Sequence, residues 1–240
     1  PVDAVRGLLC QKQALRDWGR DNPLALKAVE AALNWEAQPD CRLMLLSDED
    51  FPLMLTEGIT PPPVLFLRGN TALLQRPAVA VVGSRHATPQ ALRIARDFGE
   101  AISEQEIAVV SGMAAGIDAA AHQGALAGAG GTIAVWGTGI DRIYPPANKN
   151  LAYQIAERGM IVSEFPLDTR PLAGNFPRRN RIIAALAQAV LVVEAAPESG
   201  SLITARLAAE MGREVMAVPG SIDNPHSKGC HKLIKEGAKL

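Results

Sequence analysis

The sequence has little of several features that would indicate a particular class of protein. Aromatic residues make up only 4% of its 240 residues, and the formal net charge is −1. A strongly basic surface, the usual sign of a polyanion partner, is therefore absent, and any nucleic-acid site must be a local patch. No apolar run approaches the ~20 residues of a transmembrane helix, and no signal-peptide pattern opens the chain. We expect a cytoplasmic protein without membrane contact.

The cysteines are too few and too scattered to indicate disulfides or a metal site. Cys10, Cys41 and Cys230 lie far apart and form no Cys-x-x-Cys or Cys/His ligand spacing. His226 and His231 flank Cys230, but their spacing falls short of that of a zinc site. We therefore predict free thiols in a reducing compartment and no bound metal.

The first part of the chain has a helical pattern. Apolar residues in 1–38 recur at helical spacing, and Asn22-Pro23 is typical of a helix start. We interpret 1–38 as a helical lead-in, the remnant of an N-terminal module, and 39–240 as one domain. Because the chain begins with Pro1 and stops at Leu240 without punctuation, we expect that something is missing at each end.

From residue 78 onward, apolar runs alternate with amphipathic segments. The predicted strands are Ala78–Val82, Ile107–Val110, Thr132–Trp136, Met160–Val162, Val190–Val193 and Glu214–Val218, after an edge strand at Val64–Leu67. The predicted helices are 88–105, 117–128, 147–158, 178–188 and 201–212. This alternation predicts an α/β fold: an extended Rossmann-like, doubly wound and mostly parallel sheet covered on both faces.

The loops that follow these strands share glycine beside serine or threonine. In a parallel sheet they emerge at one edge, where ligands bind near the point at which strand order reverses. The main examples are Gly83-Ser84-Arg85, Ser111-Gly112, Gly137-Thr138-Gly139, Ser199-Gly200-Ser201 and Pro219-Gly220-Ser221. Each loop alone is explained by turn and capping chemistry, but the set predicts a phosphate site. None matches the dinucleotide or P-loop motif, so no cofactor is expected.

Basic residues concentrate near the same edge. The stretch 169–193 contains no Asp or Glu. Its cations are Arg170, Arg178, Arg179 and Arg181. Arg85 lies on the first loop and Lys149 begins the helix after the third strand, so cations and phosphate-type loops coincide. Phe176, in a loop of Gly, Asn, Pro and Arg, is either a plug into the core or a platform on which a base stacks.

The candidate catalytic residues have simpler interpretations. Asp118 and His122 are four apart on one helix, as a charge relay or metal pair would be, but they lack an obvious nucleophile or third ligand. We interpret them as a helix cap and a packed histidine. Glu164 and Glu194 each follow a strand. They form either a carboxylate pair for hydrolysis or, as we favour, partners that hold arginines or backbone N–H groups. We predict no catalytic residue.

Taken in order, the motifs are similar to those of one known family. They are Gly83-Ser84-Arg85, Ser111-Gly112-x-Ala114-x-Gly116-Ile117-Asp118, Gly137-x-Gly139-Ile140-Asp141-x-x-Tyr144-Pro145, Phe176-Pro177-x-Arg179-Asn180-Arg181-Ile182-Ile183, Glu194-x-x-x-x-Ser199-Gly200-Ser201-x-x-Thr204-Ala205 and Pro219-Gly220-Ser221. Together they resemble the DNA-processing protein A family (DprA, also called Smf) over about residues 40–240.

The resemblance implies a function as well as a fold. It implies a Rossmann-type homodimer that binds single-stranded DNA without sequence preference, loads the RecA recombinase onto it during natural transformation, and turns over no substrate. The predicted DNA-binding residues are Gly83, Ser84, Arg85, Ser111, Gly112, Lys149, Phe176, Arg178, Arg179 and Asn180. Arg85 and Lys149 would pair with phosphates, Asn180 would donate to phosphate or base, and Phe176 would meet a base or support its loop.

Two alternatives use the same residues differently. The row of loops also resembles that of phosphoribohydrolases, which cleave nucleoside monophosphates. In such an enzyme Glu194 and Ser199-Gly200-Ser201 would hold the ribose phosphate. A scaffold for protein partners is the second alternative, and its signature would be exposed apolar surface within 201–240.

Overall fold

The computed structural model describes residues 23–240, so the predicted lead-in of 1–38 lies largely outside the described residues. Helix α1 spans Pro23–Glu36. Its one buried side chain, Trp35, packs edge-on against Phe66 with ring centroids 5.4 Å apart. Within 23–240 no helix combines the length and the apolar character that crossing a membrane requires.

Among the described residues, eight strands form one sheet. They are β1 Cys41–Leu45, β2 Val64–Gly69, β3 Ala78–Val82, β4 Ala108–Ser111, β5 Thr132–Val135, β6 Met160–Ser163, β7 Ala189–Val192 and β8 Glu214–Ala217. Their order is β1-β2-β6-β5-β4-β3-β7-β8. The six strands from β3 to β8 run parallel, whereas β1 pairs antiparallel with β2 and β2 with β6. The predicted doubly wound, mostly parallel sheet is confirmed.

Helices cover both faces of this sheet. They are α2 Pro89–Glu104, α3 Ile117–Ala125, α4 Lys149–Arg158, α5 Asn175–Leu186, α6 Ser201–Glu210 and α7 Lys228–Lys235. Adjacent residues of β3 show the arrangement: Val82 packs with α5 to α7, and Val81 packs with α2 and α3. Apolar β-branched residues at both alternating positions therefore suit a strand that is buried on both sides.

Three elements differ from the sequence prediction by three residues or more. Helix α3 ends at Ala125 rather than 128. Strand β1 was not predicted, because Cys41–Leu45 is a half-buried edge strand without a continuous apolar pattern. Helix α5 begins at Asn175 rather than 178, since Pro177 falls in its first turn, where proline is tolerated. Phe176 therefore lies on a helix and not in a loop.

The connections between the strands determine where a crevice forms at the edge of the sheet. From β3 the chain proceeds through β4, β5 and β6 on one side, and then returns to place β7 beside β3 on the other. The loops that leave β3 and β7 thus diverge to opposite faces, which creates a crevice at their carboxyl ends.

Candidate nucleic-acid interface

An open groove of ≈ 700 Å³ lies at this crevice, and we call it the strand groove. It is lined by the segments that follow the six parallel strands and by the first turns of α5 and α6. Its cationic and aromatic side chains are Arg85, His86, Tyr144, Phe176, Arg179 and His226. The sequence prediction of a ligand site at this edge therefore coincides with a real concavity.

The loop after β3 is fixed to the neighbouring strand. The Glu194 carboxylate accepts hydrogen bonds from the backbone N–H and the hydroxyl of Thr88, at 3.0 and 2.8 Å. The N–H of Ser84 donates to the Glu194 carbonyl at 2.7 Å. A side chain at Gly83 would meet that carbonyl at 2.8 Å and Ile117 at 2.6 Å, so only glycine fits. Glu194 thus holds backbone N–H groups, as the sequence analysis favoured.

Exposed Arg85 and half-buried Phe176 lie side by side in the groove. The Arg85 guanidinium carbon lies 5.5 Å from the Phe176 ring centroid, within cation–π range. Tyr144 stands at 5.6 Å on the same ring and is 40% exposed. Beneath the ring, a side chain at Gly137 would approach Phe176 to 2.8 Å. Phe176 therefore rests on Gly137 at the groove wall, an arrangement that favours a platform over a core plug.

Lys149 lies beyond the groove, where it begins helix α4. It is exposed, and its Nζ stands 5.9 Å from the ring centroid of Tyr153, which is 52% exposed. The preceding Asn148 anchors this corner by donating to the carbonyls of Met113 and Ala114 at 2.9 and 3.3 Å. The sequence analysis missed Tyr153, although its position four residues after Lys149 on a predicted helix is a signal for the pair.

Arg179 occupies a different environment from the one predicted. It is only 4% exposed, and its guanidinium donates to the carbonyls of Gly112, at 2.5 Å, and Val135. Burial lowers the pKa of Arg179 to about 10, with the charge of Arg85 acting in the same direction and that of Asp118 opposing it. The Nη1 and Nε donors of Arg179 are therefore engaged within the protein, whereas the residue also lines the groove, and its contact with a ligand stays a prediction.

The loop after β4 is organised around the same buried group. Asp118 accepts from the N–H groups of Gly112 and Ala114 at 3.1 and 3.2 Å, and does not cap its helix, whose N-cap is Gly116. Burial raises the pKa of Asp118, against the attraction of Arg179. Ser111 is fully buried and donates to the Val81 carbonyl at 2.6 Å. Ser111 and Gly112 are thus internal supports rather than exposed donors.

Two more predicted contact residues have internal partners. Asn180 donates to the Gly200 carbonyl at 3.3 Å and accepts from Arg179 at 3.3 Å, so its amide is engaged. Arg178 is 60% exposed and pairs with Glu164 at 3.2 Å. Glu164, with its side chain 1% exposed, also binds Arg181 at 2.7 Å. The arginine run is therefore partly neutralised, and Glu164 holds arginines as favoured.

His122 is packed, as the sequence analysis favoured. Its Nδ1 lies 2.7 Å from the Thr132 hydroxyl, and the side chain is fully buried. Burial lowers the pKa of His122 to about 3, with a smaller contribution from the charge of Arg179. Among residues 23–240 no group of three or more His, Cys, Asp or Glu side chains is arranged to hold a metal ion.

The fold and the groove define a Rossmann-type protein with an aromatic-lined site at its sheet edge, in which Arg85 is an exposed cation. Comparison with known sequences identifies the family. Residues 42–240 match the family described as DNA recombination-mediator protein A. The chain belongs to this family. Protein Smf of Escherichia coli (strain K12) is 47% identical over 215 residues, which are 89% of this chain and 58% of that protein.

Further relatives agree in sequence and in structure. DNA processing protein DprA of Streptococcus pneumoniae is 49% identical over 193 residues, 80% of this chain and 68% of that protein. Its X-ray structure matches with a TM-score of 0.80 over 88% of this chain and 74% of that one, at 46% identity. DNA processing protein A of Helicobacter pylori, described for its single-stranded DNA binding mode, matches at a TM-score of 0.75 and 30% identity over 83% of this chain and 90% of that one. The chain thus spans between about half and 68% of the length of several curated relatives.

Proposed function

We propose that the chain binds single-stranded DNA in the strand groove as a non-enzymatic recombination mediator. The observation that supports this best is the pair of exposed Arg85 and half-buried Phe176, which offers a phosphate partner and a stacking surface side by side. Sequence-independent binding of single strands combines these two elements. The H. pylori relative, with its single-stranded DNA binding mode, supports the same conclusion. Residues 39–240 would form the binding domain.

The contact residues are divided into two groups. We propose that Gly83, Ser84, Arg85, Lys149 and Phe176 meet the strand, because they lie on the tip of the first loop, on the groove wall or at the exposed start of α4. Ser111, Gly112, Arg179 and Asn180 would act as positioning residues, since their polar atoms already bind one another or neighbouring backbone. Arg178 would contribute only through the charge that Glu164 leaves uncompensated.

A nucleotide-cleaving enzyme is less well supported. Such a reaction would need the Glu194 carboxylate to reach a substrate, but this side chain is buried and accepts from Thr88 and, at 3.4 Å, from Asn224. Incubation with nucleoside monophosphates, followed by detection of free base, tests this alternative. Turnover that is lost in Glu194→Ala would contradict the non-enzymatic proposal.

The binding proposal is tested by Arg85→Ala/Lys149→Ala. Each phosphate contact on a single strand contributes about 0.7 to the salt slope of binding, so two lost contacts lower the slope by about 1.4. Affinity for an oligothymidylate would be measured at several salt concentrations. Arg76→Ala/Arg158→Ala is the matched control, because both residues are exposed and precede the amino ends of β3 and β6, at the opposite edge. Unchanged affinity and slope in the Arg85/Lys149 variant would refute the proposal.

We further propose that the chain acts as a homodimer that loads RecA. A second open groove, the C-terminal groove of ≈ 750 Å³, lies between α6, β8 and α7, and partly exposed Leu202, Ile203 and Leu233 line it. Its charged lining has both signs: Arg206, Arg213, Lys232, Glu198, Glu214 and Glu236. An isologous dimer needs such a self-complementary patch.

The dimer and the RecA step have separate tests. In analytical ultracentrifugation, the wild-type protein should be a dimer and Leu233→Asp a monomer. Ile222→Asp, at an exposed position outside the groove, should remain a dimer. RecA loading would be followed as the shortening of the lag in RecA ATPase on a strand already covered by single-strand binding protein. A wild-type protein that is monomeric, or that leaves the lag unchanged, would contradict the respective step.

A further inference from the structure

A third open groove, of ≈ 420 Å³, lies outside the strand groove, between helices α2 and α3. We call it the α2–α3 groove. Its lining contains three arginines and one histidine, and no aspartate or glutamate. These are Arg85, His86, Arg93 and Arg96. In a chain with a net charge of −1, a concave surface with only cations among its charged lining residues is a local exception that favours an anionic ligand.

The two grooves are adjacent. Arg85 and His86 line both of them, so the tip of the loop after β3 separates the strand groove from the α2–α3 groove. Arg93 and Arg96 are exposed and three apart on α2, hence on one face of the helix. A polyanion that contacts Arg85 from the strand groove has its next cations here.

The floor of the α2–α3 groove is narrow and fixed in place. It is formed by Ala119 and Ala120, which are 8% and 7% exposed. The two helices are in backbone contact, since a side chain at Gly124 would overlap the carbonyl of Arg96 and one at Gly99 would overlap that of Ala121. The arginines therefore stand on a surface that needs no rearrangement to accept a ligand.

Acidic residues lie near but not in this groove. Asp97 and Glu100 follow Arg93 and Arg96 by one turn of α2, and both are exposed outside the lining residues. The exposed amide of Gln123, on α3, adds a neutral hydrogen-bond donor to the cations. This combination suits the phosphodiester backbone of a strand better than a base, because the groove contains no aromatic platform among its lining residues.

We propose that the α2–α3 groove is a second phosphate subsite, in which Arg93 and Arg96 hold the continuation of the single strand that leaves the strand groove past Arg85. The proposal rests on the function proposed above. It adds a direction: the strand runs over the loop after β3 and onto the outer face of α2. It also implies that affinity increases with strand length within one subunit.

The test compares wild type with Arg93→Gln/Arg96→Gln on two oligothymidylates, of about 5 and about 16 nucleotides, lengths near the two ends of the range that single sites cover. With the long strand, the loss of two phosphate contacts should lower the slope of log affinity against log salt concentration by about 1.4 per subunit. A fourfold rise in salt should then reduce the affinity of wild type about sevenfold more than that of the variant. With the short strand, which the strand groove alone accommodates, the two proteins should bind equally. Thermal unfolding should be unchanged because both arginines are exposed.

Three outcomes would overturn the inference, and they are distinguishable. If the variant matches wild type on the long strand, the groove does not hold DNA, and an acidic protein segment becomes its next candidate ligand. If the variant loses affinity equally on both lengths, Arg93 and Arg96 belong to the primary site and not to a continuation. If wild type binds neither strand, the proposed function itself fails. Arg76→Gln/Arg158→Gln, which removes the same charge at the opposite sheet edge, should behave as wild type.

Discussion

Arg85 and Arg179 show how one residue type serves two purposes at one sheet edge. Both line the strand groove, and each influences the other electrostatically. Arg85 is exposed and lies over the Phe176 ring, so its charge is available to a ligand. Arg179 is buried and donates to the carbonyls of Gly112 and Val135, so its charge is used to join two loops. Burial, and not residue type, separates a contact residue from a positioning residue.

Helix geometry explains how neighbouring residues come to differ. In the first turns of α5, Phe176, Arg179, Asn180 and Ile183 follow the i, i+3, i+4, i+7 pattern and line the groove. Arg178 falls between them and pairs with Glu164 instead. The arginines that are consecutive in the sequence therefore lie on different sides of helix α5.

The largest effect is expected on the buried side of this comparison. Arg179→Met keeps most of the aliphatic stem but leaves Asp118 without its buried counter-charge and the Gly112 and Val135 carbonyls without a donor. Loss of one member of a buried charged pair costs about 3–5 kcal/mol of the free energy of unfolding. Denaturant unfolding measures it. A loss below about 1 kcal/mol would mean that Arg179 is not a structural support.

A smaller effect is expected on the exposed side. Phe176→Leu removes the ring over which a base would stack, and stacking contributes about 1–3 kcal/mol, or about 5- to 150-fold in affinity for a single strand. Titration of a fluorescent oligothymidylate measures it. Phe98→Leu is the matched control, since Phe98 is 43% exposed on α2 and does not line the groove. Equal affinities for both variants would return Phe176 to a supporting role.

Lowering the pH should reduce the free energy of unfolding through the buried side chain of His122. Its pKa is about 3 in the folded protein, below the ordinary 6.5, so the unfolded chain takes up the proton first as the pH falls. The stability that depends on neutral His122 is present above pH 6.5 and is lost progressively between about 6.5 and 3. From pH 7 to 5.5 the loss is about 1 kcal/mol.

Asp118 is present in wild type and in both histidine variants below, so differences among their pH curves report on the histidines alone. His122→Gln should flatten the dependence of unfolding free energy on pH in this range. His86→Gln, at an exposed position, should retain the wild-type dependence. Identical curves for wild type and His122→Gln would show that the histidine is not held neutral.

The smallest effect is expected for Arg178→Ala. Arg181 keeps the buried Glu164 carboxylate paired at 2.7 Å, and Arg178 is 60% exposed, so the cost in unfolding free energy should stay below about 1 kcal/mol. Strand affinity should fall by less than in Arg85→Ala, measured in the same titration. A fall in affinity as large as that of Arg85→Ala would place Arg178 among the strand contacts. Exposure and pairing would then no longer separate contact residues from positioning residues.

Much of the architecture was accessible from pattern alone. Each predicted strand from 78 onward corresponds to an observed strand within one or two residues, because strands buried on both faces need continuous apolar runs. The edge strand Cys41–Leu45 lacked this constraint and was missed. The start of α5 was placed three residues late, because Pro177 was taken as loop chemistry although a first helical turn tolerates it.

The sequence by itself determined the doubly wound sheet, the edge at which the loops meet and the presence of cations there, because hydrophobic periodicity and chain order suffice for these. Tertiary structure decided which of the cations face water. Arg179 differs from Arg85 because it donates to the carbonyls of Gly112 and Val135, at the ends of β4 and β5, which lie far from Arg179 in the chain. It also decided that Arg93 and Arg96 share a groove with Arg85, since only the contact of α2 with α3 brings them to one surface.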